Sequence, residues 1–244
     1  MLKYASITKV GSRKYNEDYL KISSVSNRHC FIVCDGLGGH EAGDVAARIV
    51  GNKFVDELYY CEDLSDYLLN SFNSAQNQIR LCQKENKTKK DMKTTAVCMA
   101  TDEISVYVGH VGDSRFYGFK KDGTYIRTLD HSIPQLLVQS NAITEKEIRN
   151  HPNRNMLLKV MGDQWDEPMC ELSEPLSLNE FSAFLLCSDG FWELVTEEEM
   201  ISTLMVSDSP QEWLNKMTTI VETNGSNKEM DNYTAITICV SLKE

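Results

Sequence analysis

The feature that most constrains this chain is a phrase it repeats: a short apolar run that ends on an aspartate. Phe31-Ile32-Val33-Cys34 runs into Asp35-Gly36-Leu37-Gly38-Gly39-His40. Val106-Tyr107-Val108-Gly109-His110-Val111-Gly112 runs into Asp113, and Phe184-Leu185-Leu186-Cys187-Ser188 into Asp189-Gly190. Near the C-terminus the order reverses, with Asp231-Asn232 just before Tyr233 to Val240. Short apolar runs bounded by turn residues read as buried strands. One aspartate at a strand end is an ordinary turn residue. The repetition instead places several carboxylates on one rim of a sheet. Glycine beside them lets backbone approach closely, which suits a hard divalent cation.

Around these runs the chain reads as follows. Tyr4 to Val10, Tyr19 to Val25 and the run ending at Asp35 form strands, turned at Asn27-Arg28, so the sheet is antiparallel here. Ala46, Ile49, Val50, Phe54 and Leu58 mark one helix face, and Leu68, Phe72, Ala75, Ile79 and Cys82 a second. Lys84 to Lys93 reads as a solvated, lysine-rich connection. Thr94 to Thr101, Ile104 to Val111 and Arg115 to Lys120 read as strands of a β-meander, closed by a hairpin turn at Lys121-Asp122-Gly123. Pro134 to Arg154 is polar, with two short helical patterns and a capping box at Thr144 and Glu147; it has the character of a flap. Met156 to Met161 returns to apolar order, and Phe181 to Ser188 is a buried strand. Ser209-Pro210-Gln211-Glu212 starts a helix that Asn224-Gly225 stops, and the last strand follows Asp231. Helices grouped between runs of antiparallel strands indicate a layered α+β fold. Without a linker, repeat or low-complexity tract, the 244 residues are expected to form one domain, 1–244.

The formal net charge of -11 argues against nucleic acid as a partner, because its phosphates would be repelled. Met1 to Ser6 lacks the apolar core of a signal peptide, and no apolar run approaches membrane-spanning length. The eight cysteines are scattered and form no Cys-x-x-Cys pair, which fits reduced thiols and a cytoplasmic location.

The candidate site acids are Glu17, Asp18, Asp35, Asp113, Asp189 and Asp231. They are too many for one ion and about right for two metals sharing a bridging ligand, for which Asp35 with the Gly36 carbonyl is the choice. Oxygen ligation selects Mg2+ or Mn2+ over zinc or copper. Two such ions lower the pKa of water and suit in-line attack on phosphorus. Arg13, just before Glu17-Asp18, can offer a bidentate fork to the phosphate oxygens.

Seven segments then occur in order: Arg13-x-x-Asn16-Glu17-Asp18, Val33 to His40 with Gly43, Thr94-Thr95-Ala96, Gly109 to Arg115, Asp130-His131-Ser132, Cys187-Ser188-Asp189-Gly190, and Asp231-Asn232-x-Thr234. Together they resemble the metal-dependent serine/threonine protein phosphatases of type 2C, in their bacterial form. The resemblance implies a four-layer αββα sandwich with metals at one end of the two sheets. It implies that Asp35, Asp189 and Asp231 hold a first ion, and that Asp35, the Gly36 carbonyl and Glu17 hold a second, with Asp18 near through water. Asp113 with Asp189 matches a looser third position. It further implies that Arg13 binds the substrate phosphate, that residues 134–163 are the flap, and that water attacks without a covalent intermediate. Phosphorylated proteins, including a serine/threonine kinase or its substrates, are the implied partners of a chain expected to be monomeric and free of membrane.

The chain departs from the family pattern at three places. Leu37 stands where some members have a histidine proposed as the general acid; His40 is the nearby substitute, and otherwise a helix-start residue. Lys93 and Asn141-Ala142 stand where glycines are usual. Asn232 is a further candidate site residue. Two other readings compete: a catalytically silent interaction module, and a two-metal hydrolase of small phosphoesters.

Overall fold

Side chains that alternate between the two faces of each strand, both faces covered, build the architecture. In the computed structural model, which describes residues 2–38, 42–86 and 90–240, the first half of the chain runs β1 (Leu2–Lys9), β2 (Tyr19–Val25), β3 (Arg28–Cys34), β4 (Gly36–Leu37), α1 (Ala42–Tyr60), α2 (Leu64–Glu85), β5 (Lys93–Thr94), β6 (Ala96–Thr101), β7 (Ser105–Val111), β8 (Arg115–Lys120) and β9 (Tyr125–Arg127). The second half runs α3 (Ile133–Gln139), β10 (Glu171–Leu172), β11 (Leu176–Ser177), β12 (Phe181–Cys187), α4 (Asp189–Trp192), α5 (Glu197–Met205), α6 (Pro210–Gly225) and β13 (Tyr233–Val240).

The described strands form two main antiparallel sheets, ordered β1-β13-β12-β8-β9 and β10-β7-β6-β3-β2. Along β3, Cys30, Ile32 and Cys34 face α1 and α2, whereas Phe31 and Val33 face the other sheet. Along β12, Phe184 and Leu186 meet Phe31 and Val33, whereas Ala183, Leu185 and Cys187 pack with Trp213, Met217 and Val221 of α6. Three cores therefore separate four layers: helices, sheet, sheet, helices. Strands buried on both faces in this way read as continuous apolar runs, which is why they stood out in the sequence.

Local signals act as expected at the helix ends. Ser209 accepts from the Glu212 N–H at the start of α6, and Thr144 and Glu147 complete their capping box. Some details differ. The meander is broken, because β7 and β8 belong to different sheets. Gly112, at φ +101°, turns the chain out of β7, and the Asp113-Ser114 corner carries it across the sandwich. Helix α2 runs to Glu85, shortening the lysine-rich connection, of which 87–89 lie outside the described residues. Helix α6 has Asn224-Gly225 as its last two residues, with Ser226 as its C-cap. Met156 to Met161 forms only the single bridges Ser132–Leu157 and Thr94–Met161, since Met156 and Leu158 turn outward.

Candidate active site

The end of β3 is clamped before it reaches Asp35. The Asp35 carbonyl accepts from the Thr95 N–H and the Thr94 hydroxyl, both at 2.8 Å. Its N–H donates to Thr95 Oγ1 at 3.0 Å, and that hydroxyl pairs with Ser114 at 2.7 Å. Next in the chain, the Gly36 N–H donates to the Glu17 carbonyl at 3.2 Å. A Cβ on Gly36 would lie 2.4 Å from the Gly43 carbonyl carbon and 2.6 Å from the Glu17 oxygen. Only glycine allows this crossing, and it brings Glu17 and the start of α1 against Asp35.

The remaining acids arrive from separate elements. Asp113 follows the Gly112 turn, and Asp189 opens α4 directly after β12. Asp18 is buried and accepts the Ser188 hydroxyl at 2.7 Å. Asp231 precedes β13 and pairs with Arg13 at 2.7 Å; the Arg13 side chain is 59% exposed and that of Asp231 38%, so the guanidinium stays open to a ligand. Asn232 acts as a bracket. Its amide donates to the carbonyls of Val10 and Tyr15, and its oxygen accepts the Glu17 N–H at 2.8 Å. That holds the 10–17 loop over the acids, and Asn232 also lines the cavity they share. His40 lies outside the described residues.

Arg13, Glu17, Asp35, Asp113, Asp189 and Asp231 all line one cavity of about 360 Å3. Its electrostatics are unfavourable without a counter-charge. Burial pushes the Asp18 carboxyl up to about 7. Burial and then the charges of Asp189, Asp18 and Asp113 hold Asp35 well above the carboxylate range. Burial, followed by Asp189, does the same to Asp113; Asp189 is raised by burial and Asp231, and Glu17 chiefly by burial. Glu17 Oε1 and Asp18 Oδ1 are buried without a hydrogen-bond partner. Orphaned carboxylate oxygens in a crowded acidic pocket fit hard cations, which would neutralise the charge and satisfy the oxygens together.

The matching family model, protein phosphatase 2C, covers residues 9–233. This chain belongs to the protein phosphatase 2C family. The serine/threonine phosphatase stp of Listeria welshimeri is 30% identical over 195 residues, 77% of each chain. Among solved structures, the serine/threonine phosphatase Stp1 of Staphylococcus aureus superposes with a TM-score of 0.88 at 30% identity, covering 99% of this chain and 96% of that one. The catalytic domain of the phosphatase PstP, described in complex with 2 manganese ions, superposes with a TM-score of 0.78 at 24% identity over 99% of both chains.

Within this family fold, the unusual residues find local accommodation. Leu37 lies in β4, paired with Lys93, and lines the cavity without offering a proton. Lys93 forms an ion pair with Asp163, tying β5 to the end of the flap segment. Asn141 adopts φ +59°, a left-handed conformation that asparagine tolerates better than most residues, so a glycine is dispensable there.

Several residues around the site carried no assigned role in the sequence. Asn155 and Leu157 reach the cavity wall from the flap, and Lys14 and Tyr15 from the Arg13 loop. No periodicity marks them. Arg115 and Asp130 sat inside recognisable segments, but their partnership needed the structure: a buried bidentate pair at 2.8 and 2.6 Å. His110, His131 and Glu171 also cluster, with ligating atoms within 4.8 Å of one another. The two rings, however, stack at 4.5 Å and 17°. An ion must lie in the plane of each imidazole it binds, which near-parallel stacked rings do not allow. His131 Nδ1 already accepts the Gly112 N–H at 3.2 Å, and His110 Nε2 bonds the Leu129 carbonyl at 2.8 Å. This trio is a structural stack.

Proposed function

We propose that the protein is a Mn2+- or Mg2+-dependent phosphatase that hydrolyses phosphoserine and phosphothreonine in proteins. One observation carries the reading: six acids from five separate places in the chain crowd one end of the sandwich, two of them with buried unpaired oxygens, beside an accessible arginine. The proposed first ion is held by Asp35, Asp189 and Asp231, the second by Asp35, the Gly36 carbonyl and Glu17 with Asp18 behind. Asp113 and Asp189 are assigned to a third. When bound, such ions supply Lewis acidity that makes water a nucleophile near neutral pH and offsets charge on the phosphoryl oxygens.

The chain's own groups do the rest. Arg13 presents its guanidinium to the phosphate, with Asp231 orienting it at 2.7 Å. Thr94, Thr95 and Ser114 fix the Asp35 backbone, and Asn232 fixes the loop that carries Arg13, Glu17 and Asp18. Leu37 and Leu157 provide apolar wall. Direct attack by water, without a phosphoenzyme, is the proposed course.

The chain is proposed to act as one catalytic domain, 1–244, with residues 134–163 as its flap, and as a monomer. Its proposed substrates include proteins phosphorylated by a serine/threonine kinase, or the kinase itself. All eight cysteines are unpaired, which suits the reducing cytoplasm, and no helix among the described residues is long and apolar enough to cross a membrane. The test is phosphate release from a phosphothreonine peptide by purified protein with Mn2+ and with EDTA. Mn2+-dependent release that EDTA abolishes is expected; absence of release from folded, metal-loaded protein refutes the assignment.

A further inference from the structure

Asp113 leads into β8 and Asp189 follows β12, neighbouring strands whose ladder ends at Arg115 opposite Cys187, short of both acids, so a contact beyond the ladder has to set the distance between them. The link is Trp192. Asp189 and Trp192 open and close the single turn α4, so they move as one unit. From that turn the buried Trp192 indole N–H donates to the Asp113 main-chain carbonyl at 3.0 Å. Asp113 sits in the corner that follows Gly112, outside any strand ladder, so few other bonds hold its backbone.

Trp192 is itself held on two sides, at its ring and at its backbone. The Arg115 guanidinium lies over its ring at 3.4 Å, fixed by the bidentate pair with Asp130 and by donation to the Tyr117 hydroxyl at 3.0 Å. Arg149, from the 3-10 helix Glu145–Asn150 within the flap, donates to the Trp192 carbonyl at 3.1 Å and to the Val195 carbonyl at 3.1 Å. It also reaches Glu197 at 2.9 Å. A continuous set of contacts therefore runs from the flap through Arg149 and Trp192 to Asp113.

We infer that Trp192 is a positioning residue that holds Asp113 at the correct separation from Asp189, and that Arg149 couples this separation to the seating of the flap. The inference rests on the reading of Asp113 and Asp189 as ligands of the third, weakest ion. A carboxylate pair lying beyond the last rung of the ladder would have to be organised by the ion at the expense of affinity; the indole bond organises it beforehand.

The test is calorimetric titration of Mn2+ into protein stripped with EDTA, alongside kcat and KM on a phosphothreonine peptide at each Mn2+ concentration. Trp192→Phe keeps the ring and the arginine contact but removes the donor. Losing one buried hydrogen bond should weaken the weakest binding step roughly five- to tenfold while tighter steps stay within about twofold. Arg149→Met should weaken the same step in the same direction. The double variant should fall short of the product of the two effects, because they act through one contact. Lys146→Ala, a flap lysine whose side chain is 88% exposed, should leave the titration unchanged. Equal weakening of every step, an unchanged weakest step in Trp192→Phe, or full additivity with Arg149→Met would overturn the proposal. A wild-type titration with no third step would also overturn it while leaving two-ion catalysis standing. A wild type without Mn2+-dependent turnover would instead sink the phosphatase reading. Should Trp192→Phe fail to fold by circular dichroism, Arg149→Met with its Lys146→Ala control decides the question.

Discussion

Replacing Asp18 with asparagine should make the metal-free protein more stable while impairing its chemistry. Burial raises the Asp18 carboxyl from its ordinary 3.8 to about 7. A folded-state pKa above the unfolded one means the folded protein binds more protons across that interval. Its stability contribution is therefore intact below about pH 4 and is lost progressively as pH rises to about 7, then stays constant. At 1.36 kcal/mol per pH unit, the wild-type aspartate costs on the order of 4 kcal/mol at pH 8. Asparagine avoids that cost and can still accept the Ser188 hydroxyl through its amide oxygen. For a domain of this size each kcal/mol moves Tm by roughly 2–4 °C, so the metal-free variant should melt about 8–16 °C higher at pH 8. The assay is thermal unfolding in EDTA at several pH values between about 4 and 8. The advantage of Asp18→Asn should vanish near pH 4. With saturating Mn2+ the wild type should recover stability by mass action and the variant should recover less. Equal stability of the two metal-free proteins at pH 8, or a difference independent of pH, would refute the reasoning.

Asp35→Asn should abolish Mn2+-dependent turnover with an unchanged circular dichroism spectrum; a fully active variant would exclude Asp35 as a shared ligand. Arg13→Ala should lower kcat/KM on a phosphothreonine peptide about tenfold, mainly through KM, as expected for a lost hydrogen bond to a charged group. Unchanged KM and kcat would leave Arg13 as surface. Asp130→Asn should destabilise the fold by about 3–5 kcal/mol in urea titration, because it strands the buried Arg115 charge. A loss of less than about 1 kcal/mol, the scale of an exposed pair, would show that Tyr117 and Glu197 suffice to hold it.

Much of this molecule is legible in one dimension because its strongest signals are local. The strands of the sandwich interior are buried on both faces, so β3, β12 and β13 appear as predominantly apolar runs. Ser209, Thr144 and Glu147 announce their helix ends because a cap is made within a few residues. Asp35, Asp113 and Asp189 declare themselves because each follows such a run, and Asp231 because it precedes one. What escaped were decisions made between distant segments. The jump from β7 to β8 depends on which sheet completes its hydrogen bonds with which strand, and nothing within Gly109 to Arg115 states it. The same applies to Asn155 at the cavity wall and to Asn232, whose bracket joins residues more than two hundred positions apart.

By itself, then, the sequence determined the kind of chemistry: oxygen-rich acids on strand ends, a nearby arginine, and glycine where Gly36 must cross Gly43. Those are properties of residue type and short spacing. Only the tertiary structure decided that Glu17 and Asp18 leave buried oxygens unpaired, that Arg115 is neutralised by Asp130, and that the Trp192 indole spans from α4 to the Asp113 backbone. Such facts depend on burial and on pairing across layers. Both arise when four layers close over three cores, so no stretch of chain carries them alone.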